Sequence, residues 1–428
     1  MKKYHIYTFG CKVNQYESQL ISEKFKSDNF KYTRDPKEAD IIIFNSCTVT
    51  SKTDKKCEYF LRKTTRLSNK PKIILTGCIV KNRGNYVKKL LSYSHDIEVI
   101  ADKTKLFTDP QKQTVLGFDR HSRAFLKIQD GCNSFCSYCI VPYVRGILWS
   151  KPEKEVLSEI ENLIKHGYSE IVMTGINIGE YRSELSKTGL SELIEKTIKI
   201  PLNFRIRISS IELNEIDDKL IELIKENPEK ICRHLHIPLQ SGSDEILRQM
   251  NRKYSSKKFE KKINKIVRIL PDIALTTDII TGFPNETKKH HRETCDIIKR
   301  ILFARLHIFR YSDREGTKAS TFKNKVHTDD IKNRSKELSE INFEKRKIFL
   351  KKHIGTKRNA VKIGNCKALT DNYIKVEIQE SKNNDHPIYH SAPKYPDTNA
   401  QHIRRNQHSQ LFLKNGIFKI EITETSKV

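Results

Sequence analysis

Short apolar runs of strand character alternate with longer stretches of helical spacing along the first hundred residues. The strand-like runs are Tyr4–Phe9, Asp40–Phe44, Lys72–Thr76 and Asp96–Ile100, and the helix-like stretches lie near Gln15–Lys26, Asp54–Leu67 and Asn82–Leu91. Such alternation with short links predicts a parallel, doubly wound sheet. From Ala124 the pattern restarts with a longer period. Strand-like runs fall at Ala124–Ile128, Glu170–Thr174, Arg205–Ser209, His234–Pro238, Ile273–Ile280 and Arg305–Phe309, with helix-like segments such as Glu153–His166 and Lys257–Ile269 between them. Starts spaced roughly 30 to 45 residues apart match one βα unit with its crossover helix. Six such units predict an open, partial version of the eightfold barrel.

A charged stretch over 327–352 keeps Ile331, Leu338, Ile341 and Ile348 at helical spacing, which predicts a helix docking one stripe on the barrel. It is markedly basic from Lys345 to Lys352. Beyond it, Asn359–Ile363, Tyr373–Ile378 and Ile417–Ile422 predict a small all-β domain, and the polar stretch Ser381–Gln410 has no pattern to assign. The expected organisation is an α/β chain in four parts: a doubly wound parallel-sheet domain over 1–117, a partial (β/α)6 barrel over 118–326, a linking helix over 327–354 and a β domain over 355–428.

Composition adds a partner. The 428 residues carry 80 Lys and Arg against 52 Asp and Glu, a net charge of +28. An AT-rich genome inflates lysine on its own, but a field of this sign still attracts a polyanion, and nucleic acid is the natural one. The apolar run near the N-terminus breaks at Gly10, too early for a signal peptide. No segment approaches the length of a membrane span. With ten cysteines in a long Lys-rich chain, thiols kept reduced for metal in a cytoplasm are a better account than a disulfide framework.

Six of those cysteines are placed for chemistry. Cys132, Cys136 and Cys139 form C-x3-C-x2-C in the loop after the strand-like run Ala124–Ile128, with Tyr138 just before the last cysteine. Three thiolates so close in sequence can each take one iron of a cubane cluster and leave the fourth iron open. A structural zinc ion wants a fourth ligand nearby, and the loop supplies none. Three strand-like runs of the first region also end in a cysteine: FGC at Cys11, FNSC at Cys47 and TGC at Cys78. All strand C-termini of a parallel sheet lie on one edge, so these thiols are expected to converge into a second cluster site. Gly10 and Gly77 allow close backbone approach beside two of them. Cys57, Cys232, Cys295 and Cys366 have no such placement and read as packing residues.

Each later barrel strand ends in polar or small residues: Thr174 and Gly175 in TGINIG, Ser209, Ser210 and Glu212 in SSIE, His236 and Gln240 in HIPLQSGSD, Asp278 and Glu286 in TDIITGFPNET, Tyr311 and Thr317 in YSDREGT. Singly each is weak. Together, on the face that carries the cluster loop, they point to a polar organic cofactor, with Tyr138, Thr174, Gly175, Ser210, Gln240 and Asp278 as expected contacts.

On these motifs, in this order, the whole chain resembles the methylthiotransferases of the radical S-adenosylmethionine superfamily, and the last domain resembles their RNA-binding TRAM module. FGCKVNQYES (Gly10–Ser18) looks like the group that acts on N6-threonylcarbamoyladenosine in tRNA. The resemblance implies two 4Fe–4S clusters and S-adenosylmethionine. Cys132, Cys136 and Cys139 would hold the cluster that cleaves S-adenosylmethionine, and Cys11, Cys47 and Cys78 the auxiliary cluster that carries sulfur. No side chain beyond the cluster ligands is assigned a catalytic role. It also implies tRNA as partner, an electron donor such as flavodoxin or ferredoxin, a sulfur donor that the sequence leaves open, and a cytoplasmic enzyme. Isopentenyladenosine in tRNA or a ribosomal-protein side chain are the alternative targets, and a non-catalytic metal-containing RNA-binding protein is the alternative class. The sequence departs from the family pattern at Ile147–Pro152, where arginine and serine are usual, at Arg310, where proline is common, and in the length of Ser381–Gln410.

Overall fold

A computed structural model of the chain describes residues 1–82, 84–94, 96–109, 113–118, 122–184, 186–364, 366–378, 389–391 and 416–423. The first region contains β1 (Lys3–Thr8), α1 (Lys12–Ser27), β2 (Lys31–Tyr32), β3 (Ile41–Ser46), α2 (Ser51–Thr64), β4 (Lys72–Gly77), α3 (Cys78–Asn82), α4 (Gly84–Leu91) and β5 (Ile97–Ile100). All pairings are parallel, in the order β2-β1-β3-β4-β5. The central strand IIIFNS is buried along nearly its whole length, as a parallel strand covered on both faces must be. Two details differ from expectation. The two-residue β2 is too short to leave a periodic trace, and the helix expected over Asn82–Leu91, found as α4, is preceded by the short α3 that begins at Cys78 itself.

The second region runs β6 (Ala124–Lys127), β7 (Gln129–Asp130), α5 (Val141–Arg145), β8 (Trp149–Ser150), α6 (Glu153–Lys165), β9 (Glu170–Thr174), α7 (Leu190–Ile198), β10 (Arg205–Ile208), α8 (Asp218–Glu226), β11 (His234–His236), α9 (Asp244–Gln249), α10 (Ser256–Ile269), β12 (Ala274–Thr281), α11 (Lys288–Arg300) and β13 (Arg305–Arg310). Strands pair in parallel as β10-β9-β6 and β11-β12-β13. Parallel bridges Ile206↔Ile231 and Ser210↔His236 join the two runs into one curved, open sheet. All six expected barrel strands are present. The short pair β7–β8 folds the residues after Gly146 back against the base of the cysteine loop.

The long helix α12 (Thr328–His353) follows. Its docked stripe is more polar than expected: Arg334, Ser335, Leu338, Phe349 and His353 are buried, whereas Ile348 is exposed. The chain ends in a closed barrel of β14 (Lys357–Gly364), β15 (Lys367–Thr370), β16 (Lys375–Ile378), β17 (Tyr389–Ser391) and β18 (Ile417–Thr423). Two of these strands were not expected. Within Ser381–Gln410 only β17 is described, so the length and packing of that stretch lie outside the described residues. One core cluster runs from Tyr16, Leu20 and Ile21 of α1 through the barrel strands to Leu338 of α12. Ala274 and Ala304 of the central barrel share a separate cluster with Phe349, Ala360 and Ile374.

Candidate active site: two cysteine triplets on facing edges

β1, β3 and β4 are neighbours whose registers run Thr8↔Asn45 and Ser46↔Gly77. Cys11, Cys47 and Cys78 therefore leave three adjacent strand ends side by side. Gly10 has φ +91°, and a Cβ there would overlap Cys47 Sγ, so this glycine is required by the thiol itself. Asn14 Nδ2 donates to the carbonyls of Phe9 and Ser46, both at 2.8 Å, and Ile79 N–H donates to Ser46 Oγ. These bonds lock the three loops together. Burial pushes the Cys47 thiol up to about 12, and Cys78 and Cys11 add to the rise. Burial raises Cys11 too, opposed first by Arg145. Protonated thiols held this way carry no charge until a metal takes their protons.

The second triplet hangs from β7. Cys139 N–H donates to the Cys136 carbonyl and Ser137 N–H to that of Met250, while Ala319 N–H donates to the Ser137 carbonyl. Asn251 Nδ2 donates to the Ser134 and Phe135 carbonyls. Burial again pushes the Cys139 thiol up to about 12, with Cys136 the next cause. Arg252 Nη1 lies 3.2 Å from Cys136 Sγ, and the same guanidinium pairs with Glu212. Gln129 joins this loop to the TGINIG turn: its Oε1 accepts from Ile176 and Asn177 N–H, and its Nε2 donates to the Asp130 and Gly131 carbonyls.

Donor chemistry fits clusters better than single ions. A structural zinc takes four protein ligands, whereas each triplet offers three thiols, one for each of three irons of a cubane. Acceptors for a cationic cofactor are present as well. Asn177 Oδ1, Glu180 Oε2 and Glu215 Oε2 are buried with no hydrogen-bond partner among the described residues, and Glu180 lies in the field of Cys132. Burial raises Glu215 to about 7; a hydrogen bond from Asn177 opposes this, and Glu212 and Glu180 add to it. Each is an acceptor of the kind that the N–H donors of an ammonium group satisfy.

Of the expected cofactor contacts, Thr174 is buried and Gly175 leaves room for Gln129, whose Oε1 a Cβ would meet at 2.8 Å. Ser210 is exposed at the bridge to His236. Gln240 holds φ +67° between β11 and β12, its N–H donating to the Asp278 carbonyl. Tyr138 packs on Ile246, Met250, Phe283 and Ala319. Asp278 points to two imidazoles, His236 Nε2 at 3.2 Å and His307 Nδ1 at 3.3 Å. Burial raises its pKa, but the two histidines outweigh it and bring Asp278 to about 2. Among the other cysteines, Cys57, Cys232 and Cys295 are buried, whereas Cys366 is exposed.

The two triplets share a wall. Cys78 packs directly on Ile140 and Val144, the residues that follow Cys139. Arg145, next on α5, reaches across to Glu17 of α1 at 2.7 Å and to Asp130 at 3.3 Å, and also meets Asn14. Lys103 and Lys127 complete this buried network around Glu17. At the base of the open barrel, Arg205 and Arg207 pair with the buried Glu170 and donate to the carbonyls of Asn359, Leu369, Thr370 and Asp371. Tyr373 stacks on His234 with centroids 4.3 Å apart. The C-terminal barrel thus packs on the starts of β10 and β11. In the divergent segment after Gly146, Lys151 is fully buried against Glu159, so it is a packing element of this wall.

Residues 126–298 match the radical SAM superfamily and residues 3–100 an N-terminal family described only as uncharacterized protein family UPF0004. The chain is 35% identical over 373 residues to the threonylcarbamoyladenosine tRNA methylthiotransferase MtaB of Thermotoga maritima, covering 81% of this chain and 84% of that one. It is 36% identical to the protein of that name in Bacillus subtilis, covering 76% and 77%. It is 34% identical to the tRNA-2-methylthio-N(6)-dimethylallyladenosine synthase of Caldicellulosiruptor saccharolyticus, covering 87% and 83%. Among solved structures, the radical S-adenosylmethionine methyltransferase TsrM of Kitasatospora setae shares the fold, with a TM-score of 0.52 at 13% identity over 75% of this chain and 77% of that one. The fold and the cysteine loop define a radical S-adenosylmethionine enzyme. Within that class, the chain belongs to the methylthiotransferase family. It is a transferase of the radical S-adenosylmethionine class, which uses S-adenosylmethionine and 4Fe–4S chemistry. No helix among the described residues is long and apolar enough to cross a membrane.

Proposed function

We propose that this enzyme inserts a methylthio group at C2 of N6-threonylcarbamoyladenosine next to the anticodon of tRNA. The observation that supports the proposal is the packing of Cys78 on Ile140 and Val144, just past Cys139, which brings the N-terminal cysteine edge against the loop of the second triplet. Lys12–Val13–Asn14 after Cys11 favours this nucleoside over isopentenyladenosine on the motif pattern; overall identity to the two groups of relatives does not separate them. In this proposal Cys132, Cys136 and Cys139 hold the cluster that binds S-adenosylmethionine, and Cys11, Cys47 and Cys78 hold the auxiliary one. When bound, these groups supply a 5′-deoxyadenosyl radical, the sulfur and the methyl group.

The protein's own residues bind, orient and keep the site dry. Arg252 holds the Cys136 thiolate and neutralises Glu212 beside it. Glu180, Glu215 and Asn177 receive the cationic part of S-adenosylmethionine, with Gly175 and Gly179 allowing the close approach of their turn to Gln129 and Glu215. Thr174, Ser210, Gln240, Asp278 and Tyr138 complete the wall on the strand ends. Arg205, Arg207 and Tyr373 bury the base of the central barrel under the C-terminal one and keep water from that side. Electrons come from a carrier of the flavodoxin or ferredoxin class, which with tRNA as substrate puts the enzyme in the cytoplasm. The working division of the chain is 1–117, 118–326, 327–354 and 355–428.

The test is mass spectrometry of nucleosides from bulk tRNA of cells with and without the gene. Loss of 2-methylthio-N6-threonylcarbamoyladenosine with accumulation of its unthiolated precursor is the expected result. An unchanged profile of this nucleoside overturns the proposal, and loss of the isopentenyl counterpart instead reassigns the substrate.

A further inference from the structure

On the outer side of the barrel, His291 and Cys295 lie one turn apart on α11, and Glu337 comes from α12. His291 Nε2 stands 2.8 Å from Glu337 Oε2 and 3.5 Å from Cys295 Sγ, and the three ligand atoms all lie within 4.8 Å of one another. His291 and Cys295 are buried, while the Glu337 side chain reaches in from the surface. Residues four apart share one helix face, so the pair meets the carboxylate as a unit.

We propose that His291, Cys295 and Glu337 bind one divalent transition-metal ion of the zinc class and so tie α11 to α12. Imidazole, thiolate and carboxylate are zinc's usual donors, at 2.0–2.3 Å. A tetrahedral ion at those lengths sets its nitrogen and sulfur ligands about 3.5 Å apart, the separation found here. The nitrogen–oxygen pair opens from 2.8 Å to about 3.4 Å, within reach of a glutamate that is half exposed. Binding releases the thiol proton and moves the imidazole proton to Nδ1. Thiolate and carboxylate then cancel both positive charges, and the fourth position faces solvent, where water completes the shell.

The placement gives the ion a structural consequence. Thr294, beside Cys295, accepts Gly242 N–H in the HIPLQSGSD loop at 2.9 Å. On the facing helix, Ser335 hydrogen-bonds Thr281 at the end of β12, and Arg334 donates to the Glu286 carbonyl. A metal joining α11 and α12 therefore fixes the two helices that hold the ends of β11 and β12 in register.

The experiment uses the full chain with its clusters assembled, exposed to Zn2+, desalted against a weak chelator, and assayed for iron and zinc. One zinc per chain is expected in the wild type. Cys295→Ser and His291→Gln should weaken zinc binding about tenfold or more, no less than loss of an outer-shell partner does elsewhere. Glu337→Gln, at a surface position, supplies a variant that leaves the core packing alone and should also weaken binding. Iron content and S-adenosylmethionine cleavage stay as in the wild type, and the zinc X-ray absorption spectrum shows one sulfur among nitrogen and oxygen neighbours. Zinc should raise the unfolding temperature of the wild type and not of Cys295→Ser. No retained zinc in the wild type, or equal zinc in wild type and all three variants, overturns the proposal and leaves a hydrogen-bonded triad.

Discussion

Arg252 Nη1 sits 3.2 Å from Cys136 Sγ while its other nitrogen pairs with Glu212. The two residues are 116 positions apart in sequence. The guanidinium donates to a sulfur that becomes a thiolate when iron binds, and a hydrogen bond to a charged group is worth about 1.5–3 kcal/mol. Arg252→Met removes that donor and strands Glu212 without its cation. Deoxyadenosine formation should fall about tenfold to a hundredfold, at 1.4 kcal/mol per factor of ten. The reduction potential of this cluster should move lower, since less positive charge faces its sulfur. Unchanged rate and potential would show that Arg252 only packs the loop.

The two triplets make separable demands. Cys136→Ala should abolish deoxyadenosine formation and leave the absorption of the N-terminal cluster in place. Cys47→Ala should spare reductive cleavage and stop thiolation of tRNA. Iron content should fall by half in either variant, because each loses one of two cubanes. A Cys47→Ala enzyme that still thiolates tRNA would sink the auxiliary assignment.

Much of this arrangement was legible in the sequence because its signals are local. Each strand-ending cysteine sits beside its own apolar run, the C-x3-C-x2-C loop fits within eight residues, and each of the six apolar runs is recognisable by itself. What was not legible depends on contacts across the chain. Arg252 follows α9 in an ordinary basic stretch, and nothing nearby marks it as a neighbour of Cys136. Arg205 and Arg207 alternate with isoleucines as a solvated strand face would, yet they bury against Glu170 because the C-terminal barrel supplies carbonyls to their remaining N–H groups. β15 and β17 have four and three residues, too few for period-two alternation to stand out. Cys295 reads as packing until α12 brings Glu337 beside it.

Arg145 is the cross-brace between the N-terminal sheet and the barrel, and its loss should show in stability. Arg145→Met leaves Glu17 and Asp130 buried without their main cation, though Lys103 and Lys127 remain, so a cost of about 3 kcal/mol is expected. The cost should depend on pH. Burial raises Glu17, but Arg145, Lys103 and Lys127 outweigh it and hold its carboxyl well below the usual range. A depressed folded pKa contributes stability that is present above the unfolded value of about 4.3 and is lost as pH falls through the folded one. The gap in unfolding free energy between wild type and variant should therefore narrow as pH drops below about 4. A gap independent of pH would mean that Arg145 acts through packing alone.

Glu215 gives the opposite sign at a higher pH. Burial first, then Glu212 and Glu180, raise it to about 7, against a hydrogen bond from Asn177. A raised carboxyl binds its proton more tightly folded than unfolded, so it contributes stability below its unfolded value that fades as pH rises through 7. S-adenosylmethionine brings positive charge to the same corner and favours the ionised form. Its binding should tighten between pH 6 and pH 8, by up to about tenfold for one proton exchanged, and release protons near neutrality. Glu215→Gln keeps the shape and the hydrogen bond from Asn177 but cannot ionise. Calorimetry of S-adenosylmethionine binding in two buffers of different ionisation enthalpy measures both effects. The expected outcome is proton release and a pH-dependent affinity in the wild type and neither in Glu215→Gln. A variant that keeps the wild-type pH dependence would move the titrating group elsewhere.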